Sequence, residues 1–294
     1  MLKIISLRYK IQKIISMKKL LYTFIAISFT SAAMFAQDDS KSVRFGVFGR
    51  ATPTWYSMPT NNNYSKGGAI FGAGFGLNLE FRITDVVSFQ TGVGGDFDGG
   101  KISYAFNLTG FTPGNAYYTG YVLDKTPALV EIKDKNPSDF SSNQYSSHFL
   151  TSRQIHTTYV TVPLILKMKT KEISGFKYFV DFGANVGVLV GAKADDNTTD
   201  GLNVTAYKSL NMYKDCNPVR VGLNVGGGAE YRLSGSTSIF LSVNYVNSFI
   251  SAVKSTSIYN ATAIDYSHYS SGTFTYASQS FKTNGIQINV GLLF

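Results

Sequence analysis

The chain has 294 residues, of which 22 are Phe, 19 Tyr and 28 Gly while only 15% are charged. That mixture is poor in helix formers and rich in strand formers, which argues against a helical protein. The formal charge of +9 does not mark a nucleic-acid partner: Lys3, Arg8, Lys10, Lys13, Lys18 and Lys19 fall in the first 36 positions, which hold no acid, and no basic run follows Gln37 to track a phosphate backbone.

The first element is a targeting segment. "MKKLLYTFIAISFTSAAMFAQ", Met17 to Gln37, joins two lysines to an apolar run from Leu20 to Phe29 and a small-residue stretch ending at Ala36, the form of a secretory signal peptide. Residues 1–36 are therefore expected to be the signal and residues 37–294 a single barrel domain, with cleavage after Ala36 first and after Ala33 second. Met1 to Ser16 also reads as an upstream-start artefact, with Met17 as the beginning. A spanning helix is disfavoured, since Thr23, Ser28, Thr30 and Ser31 break a run already shorter than the ~20 apolar residues required. Cys216 is the sole cysteine, so an internal disulfide is excluded and none follows the signal to accept a lipid anchor.

Eight strands are predicted after the signal, near 43–57, 68–84, 86–107, 151–170, 176–194, 217–233, 237–253 and 277–294. Their pattern has period two. In "AIFGAGFGLNLEFRI", Ala69 to Ile83, the odd positions are all apolar and the even ones are mainly Gly, Asn78, Glu80 and Arg82. Val87, Phe89, Thr91, Val93 and Phe97 alternate with Ser88, Gln90, Gly92, Gly94, Asp96 and Asp98. Tyr178 to Val190 repeats the arrangement against Lys177, Phe179, Asp181, Gly183, Asn185 and Gly187. In Val219 to Leu233 the second set is Arg220, Gly222, Asn224, Gly226, Gly228, Glu230 and Arg232. The final "NGIQINVGLLF" keeps Ile286, Ile288, Val290, Leu292 and Phe294 in one phase.

A soluble barrel would turn its large apolar residues inward and present Lys, Glu, Ser and Thr to water. Here the polar face is glycine with sparse charges, too small for a solvated exterior and suited to a tight interior. The apolar face spans the ~9–11 residues that carry a tilted strand across a bilayer. Strands in lipid must close so that every backbone group is paired. The expected fold is all-β, an eight-stranded antiparallel up-and-down transmembrane β-barrel.

The connections agree. Tight turns are expected at Thr84 and Asp85, Lys171 to Gly175 and Ser234 to Ser236, while the intervening connections are long and polar. That alternation puts short turns in the periplasm, long loops outside and both ends on the periplasmic side. Phe294 then sits at the inner aromatic girdle as a terminal aromatic for the assembly machinery.

Four stretches carry a family likeness: "YVTVPLILKMK" (Tyr159 to Lys169), "FKYFVDFGANVGVLVGAK" (Phe176 to Lys193), "VGLNVGGGAEYRLSGSTSIFLSVNYVNSF" (Val221 to Phe249) and "IQINVGLLF". They resemble the PorT-like outer-membrane β-barrel domain common in Bacteroidota. The resemblance implies a Gram-negative outer-membrane location and, through the founding member, a link to type IX secretion.

Catalytic and metal readings find little support. His148, His156 and His268 show no metal-pair spacing, and a Ser-His-Asp constellation cannot be assembled from spacing. "GGDFDGG" (Gly94 to Gly100) and "DDNTTDG" (Asp195 to Gly201) place acids beside glycine as calcium loops do, without completing a ligand set. Cys216 has no marked partner base and reads as a loop or strand-edge residue. Arg44, Glu80, Arg82, Asp181, Glu230 and Arg232 fall on the inward face, where opposite charges are expected to pair as a plug.

The expected protein is thus a non-enzymatic outer-membrane barrel without cofactor, catalytic residues or metal. Its Tyr-, Ser- and Asn-rich loops would form an interaction, adhesion or envelope-assembly surface. Its partners would be outer-membrane lipid, the assembly machinery and a secretion-system or extracellular protein. The alternatives are an accessory component of a secretion system and an outer-membrane hydrolase using loop residues. Intact mass of the membrane-extracted protein is expected to show a chain beginning at Gln37; retention of Met17 to Ala36 would refute the signal assignment.

Overall fold

The computed structural model describes residues 42–59, 64–104, 117–118, 121–123, 127–129, 149–199, 203–254, 258–261, 274–277 and 280–294. Eight long strands form the frame: β1 (Val43–Ser57), β2 (Ile70–Arg82), β3 (Val87–Tyr104), β4 (Phe149–Lys169), β5 (Phe176–Thr199), β6 (Val219–Ser234), β7 (Thr237–Ser251) and β8 (Lys282–Leu293). Each pairs antiparallel with the next. The ring closes where β8 returns to β1, from Gly46↔Leu293 to Ser57↔Lys282. The signal segment and most of the connection before β4 lie outside the described residues.

The outer face is apolar. Phe71 is 80% exposed and Phe182 56%, with Phe75, Val180, Val188, Ile288 and Val290 also turned outward. So large a continuous apolar surface on a monomer needs an apolar solvent, and the strands supply one with every ladder bond internal. The three short connections are tight. Val87 C=O accepts from Ile83 and Thr84 N–H at 2.9 Å each. Ser174 and Gly175 take positive φ (52° and 83°) in the second turn, and Gly235 (φ 51°) does so in the third.

The inward glycines make room for three phenylalanines that alternation alone does not foretell. Phe48, Phe179 and Phe240 lie inside with Leu293 as one buried cluster. A Cβ at Gly76 would stand 2.7 Å from the Phe48 ring, one at Gly228 2.8 Å from Phe179 and one at Gly291 2.6 Å from Phe240. Each of these glycines is the cross-strand partner of the ring it accommodates, and so flat a ring can lie against the narrow wall only where the residue beside it has no side chain.

Toward the long-loop end the sheet rises beyond the barrel. Tyr64–Gly68 adds to the end of β3 and Val204–Asn211 to the end of β5. Neither strand is foreseen in the sequence, because both are short and lack clean alternation. Tyr117–Tyr118 pairs with Phe149 at the top of β4 and with Tyr259 of the Ile258–Ala261 strand.

The chain's end completes closure: Phe294 N–H donates to Phe45 C=O at 2.7 Å, and Phe45 N–H donates back at 3.4 Å. Deleting Phe294, or adding a charged tail after it, is expected to reduce the heat-modifiable, folded barrel far more than deleting Gln37 to Asp39. Mobility of unboiled against boiled membrane samples measures this, and undiminished folding would show the terminal residue to be dispensable.

Candidate functional site: the barrel lumen and its mouth

Three layers fill the lumen. The periplasmic layer is a charge cluster centred on two lysines of β4. Lys169 Nζ lies 2.5 Å from Glu80 and 2.7 Å from Glu230, Lys167 Nζ is 3.6 Å from each, and Arg44 contacts Glu230 at 2.9 Å. Lys167 is buried and sits over the ring of Phe179, 4.2 Å from its centre, and over that of Phe240 at 5.5 Å. These ring faces supply part of the solvation that the ammonium loses. Asp181 Oδ2 accepts from Asn244, which links on to Asn224 and Asn289.

The middle layer joins four strands through two arginines. Arg50 of β1 contacts Asp96 at 3.3 Å, while Arg220 of β6 reaches Asp96 at 2.9 Å and also bonds Asp98. Thr161 donates to Asp96 at 2.8 Å and Thr157 to Asp98 at 2.7 Å. The Arg220 guanidinium lies 4.2 Å from the Tyr159 ring centre. The "GGDFDGG" stretch that resembles a calcium loop is therefore a strand whose two carboxylates face guanidinium groups. In "DDNTTDG", Asp196 holds Arg153 through two bonds of 2.7 and 2.6 Å, and Asp195 accepts the Ser209 N–H.

The extracellular layer is an apolar plug. Tyr56, Tyr64, Tyr104, Leu150, Ile155, Met212, Cys216, Val253 and Phe281 belong to one buried cluster. Tyr56 stacks on Phe281, and Tyr64 meets the same ring edge-on. Cys216 lies in the connection before β6 and forms an isolated β-bridge with Val253, a loop and strand-edge position in keeping with its sequence setting. It is buried in this plug, where loss of solvent, aided by the neighbouring Asp215, pushes its thiol up to about 12.

Of the six charges assigned inward from sequence, Glu80, Asp181 and Glu230 are buried and Arg44 is half-buried. Arg82 and Arg232 differ. Their side chains are 41% and 35% exposed, paired with Asp85 at 2.6 Å and Glu172 at 3.0 Å on the turns. They lie at the strand ends, where the wall runs out and the side chain reaches the rim. Lys167 and Lys169 are missed by the sequence reading because Ile165 and Pro163 share their face and obscure the polar phase.

Across the periplasmic and middle layers Arg44, Arg50, Lys167, Lys169 and Arg220 face Glu80, Asp96, Asp98, Asp181 and Glu230, so the formal charges of these residues sum to zero, and above them the buried Arg153 is paired with Asp196. Two internal cavities have volumes of about 40 and 30 Å³, enough for water and nothing larger. A vestibule of about 100 Å³ opens at the periplasmic rim between Arg44, Glu80, Lys169 and Arg232. His156 is on the outer wall, 48% exposed and 4.0 Å from Asp195; His148 and His268 lie outside the described residues.

A family profile described as outer membrane protein beta-barrel domain matches residues 35–254. The chain belongs to this family. It is an outer-membrane protein, and the closed eight-stranded ring is the family's architecture in this sequence. Among solved structures it is similar to OprG from Pseudomonas aeruginosa (11% identity, TM-score 0.37, covering 86% of this chain and 97% of that one). It is also similar to Neisserial surface protein A (10%, 0.32, 84% and 95%) and to Ail, the attachment invasion locus protein of Yersinia pestis (10%, 0.29, 86% and 100%). Comparison with curated proteins gives no match.

The layers predict unequal costs. Arg220→Met leaves Asp96 and Asp98 under-compensated inside the barrel and is expected to cost about 3–5 kcal/mol, whereas Arg82→Gln at the rim should cost less than about 1 kcal/mol. Urea unfolding of protein refolded into lipid vesicles measures both; equal effects would contradict the division into interior and rim.

Proposed function

We propose that the protein is a non-enzymatic barrel whose long extracellular connections form an interaction surface for a partner outside the cell or within the envelope. The observation that carries this reading is the length of β4 and β5, 21 and 24 residues, about twice the ~9–11 needed to cross the bilayer. Together with Tyr64–Gly68 and Val204–Asn211 they build a sheet standing above the membrane. Chain length is thus invested in the outside, while the lumen is filled with paired charges and an apolar plug. A second reading, an accessory to type IX secretion, draws on the PorT-like stretches from Tyr159 to Phe249.

The test replaces residues 108–148 with a short turn. The heat-modifiable barrel should persist while partners crosslinked in native membranes are lost. Retention of those partners, or single-channel conductance by the intact protein in a planar bilayer, would overturn the proposal. Capture of secretion-channel proteins by both forms would favour the second reading. Because Cys216 is buried and its thiol stays protonated, orientation can be checked in the native background. Asn260→Cys should react with an impermeant maleimide on whole cells, and Lys171→Cys should not.

A further inference from the structure

The outer wall of β4 and β5 changes character over a few residues. Val160 on β4 and Val188 and Val190 on β5 are exposed apolar side chains in the lipid-facing phase. Directly above them on the same wall come Thr158, His156 and Lys193, with His156 and Lys193 in cross-strand register. This is the height at which acyl chains give way to headgroups.

At that height the wall is hollowed. The β4–β5 register shifts between Thr158 and Tyr159, leaving Val190 as an extra residue between Leu189 and Gly191, and a bulge of this kind bends and twists its strand. A Cβ on Gly191 would meet only Thr158, at 3.9 Å. The result is a depression of about 440 Å³ lined by His156, Thr158, Val190, Gly191, Lys193 and Tyr213.

The polar groups around it are unevenly satisfied. Asp195 receives the Ser209 N–H at 2.8 Å and Lys208 at 3.4 Å, and these contacts, the Ser209 bond foremost, hold its carboxyl below the usual range. Lys193 forms no ion pair among the described residues. Tyr213 is half-exposed and is tethered through its hydroxyl to Leu189 C=O at 3.4 Å, in the interfacial position that amphipathic rings favour.

The geometry points to a binding site for the phosphorylated headgroup of an outer-leaflet glycolipid. Lys193 receives the phosphate, Tyr213 backs the sugar, and Val190 and Val160 meet the first carbons of the acyl chains. A lipid is the occupant because the hollow opens sideways into the bilayer boundary, with lipid-facing valines as its lower edge. A basic residue at that boundary contributes attraction to an anionic headgroup.

Native mass spectrometry of the intact protein in detergent, titrated with bisphosphorylated lipid A, tests this. One saturable lipid is expected, with affinity reduced about five- to tenfold by Lys193→Glu and less by Lys193→Gln. Lys66→Glu, on another part of the extracellular sheet, should bind like the parent, and heat-modifiability will verify that each variant folds. Equal binding of dephosphorylated lipid A, unchanged binding by folded Lys193→Glu, or an equal loss in Lys66→Glu would overturn the site. Displacement of the lipid by inorganic phosphate at constant ionic strength would overturn the lipid assignment in favour of a free-anion site.

Discussion

Everything in this molecule depends on one requirement: in hydrocarbon, each backbone N–H and C=O must find a partner within the chain. A sheet can meet it only by becoming a ring, so the pairing of β8 with β1 governs the rest. Eight strands fix a lumen about as wide as side chains can fill. Residue size on the inner face then becomes a packing constraint, which explains why Phe48, Phe179 and Phe240 lie opposite glycine. Charge becomes one as well. A net charge in so dry a space would be costly, and the paired cations and carboxylates of the interior remove it while joining walls far apart in sequence. The Arg44–Glu230 contact spans 186 positions.

The strand frame was legible because its two solvents differ so sharply. Phe71, Phe75, Val180, Phe182 and Val290 mark the lipid face without ambiguity, and the boundaries of β1, β4 and β7 follow the pattern to within two residues, while β5 runs on to Thr199, five residues past its expected end. What escaped was everything set by neighbours on other strands. Thr161, Pro163, Ile165, Lys167 and Lys169 share one inward face, and no sequence rule separates such a mixed face from a soluble one. The turnward course of Arg82 and Arg232 likewise depends on where the wall ends, a matter of barrel tilt and stagger. Val204–Asn211 was hidden for another reason: it pairs above the membrane, where neither face is lipid and alternation is not enforced.

The interior is graded along its axis, with mixed charges and amides toward the periplasmic side, a guanidinium and carboxylate layer in the middle and an apolar layer at the extracellular mouth. Each suits its position. The rim pairs can exchange with water at little cost, whereas the middle pairs are locked by threonine hydroxyls as well as opposite charge. The apolar layer joins strand residues such as Ile102, Ile155 and Leu189 to Met212, Cys216, Ala252, Val253 and Phe281 from the connections, so the mouth is sealed by the same hydrophobic burial that holds a soluble core.

That seal has a consequence for how the outside of the protein can change. All four long connections leave or re-enter the barrel through it: Tyr56 and Tyr64 bracket the first, Tyr104 and Leu150 the second, Ala194 and Met212 the third, Val253 and Phe281 the fourth. Each loop is thus clamped at its roots before it reaches solution. Loop sequence can therefore change freely only where it spares these root residues and the pairs formed between them, such as Asp196 with Arg153: the plug, rather than the lipid-facing wall, sets the terms on which the outside of the protein is remodelled.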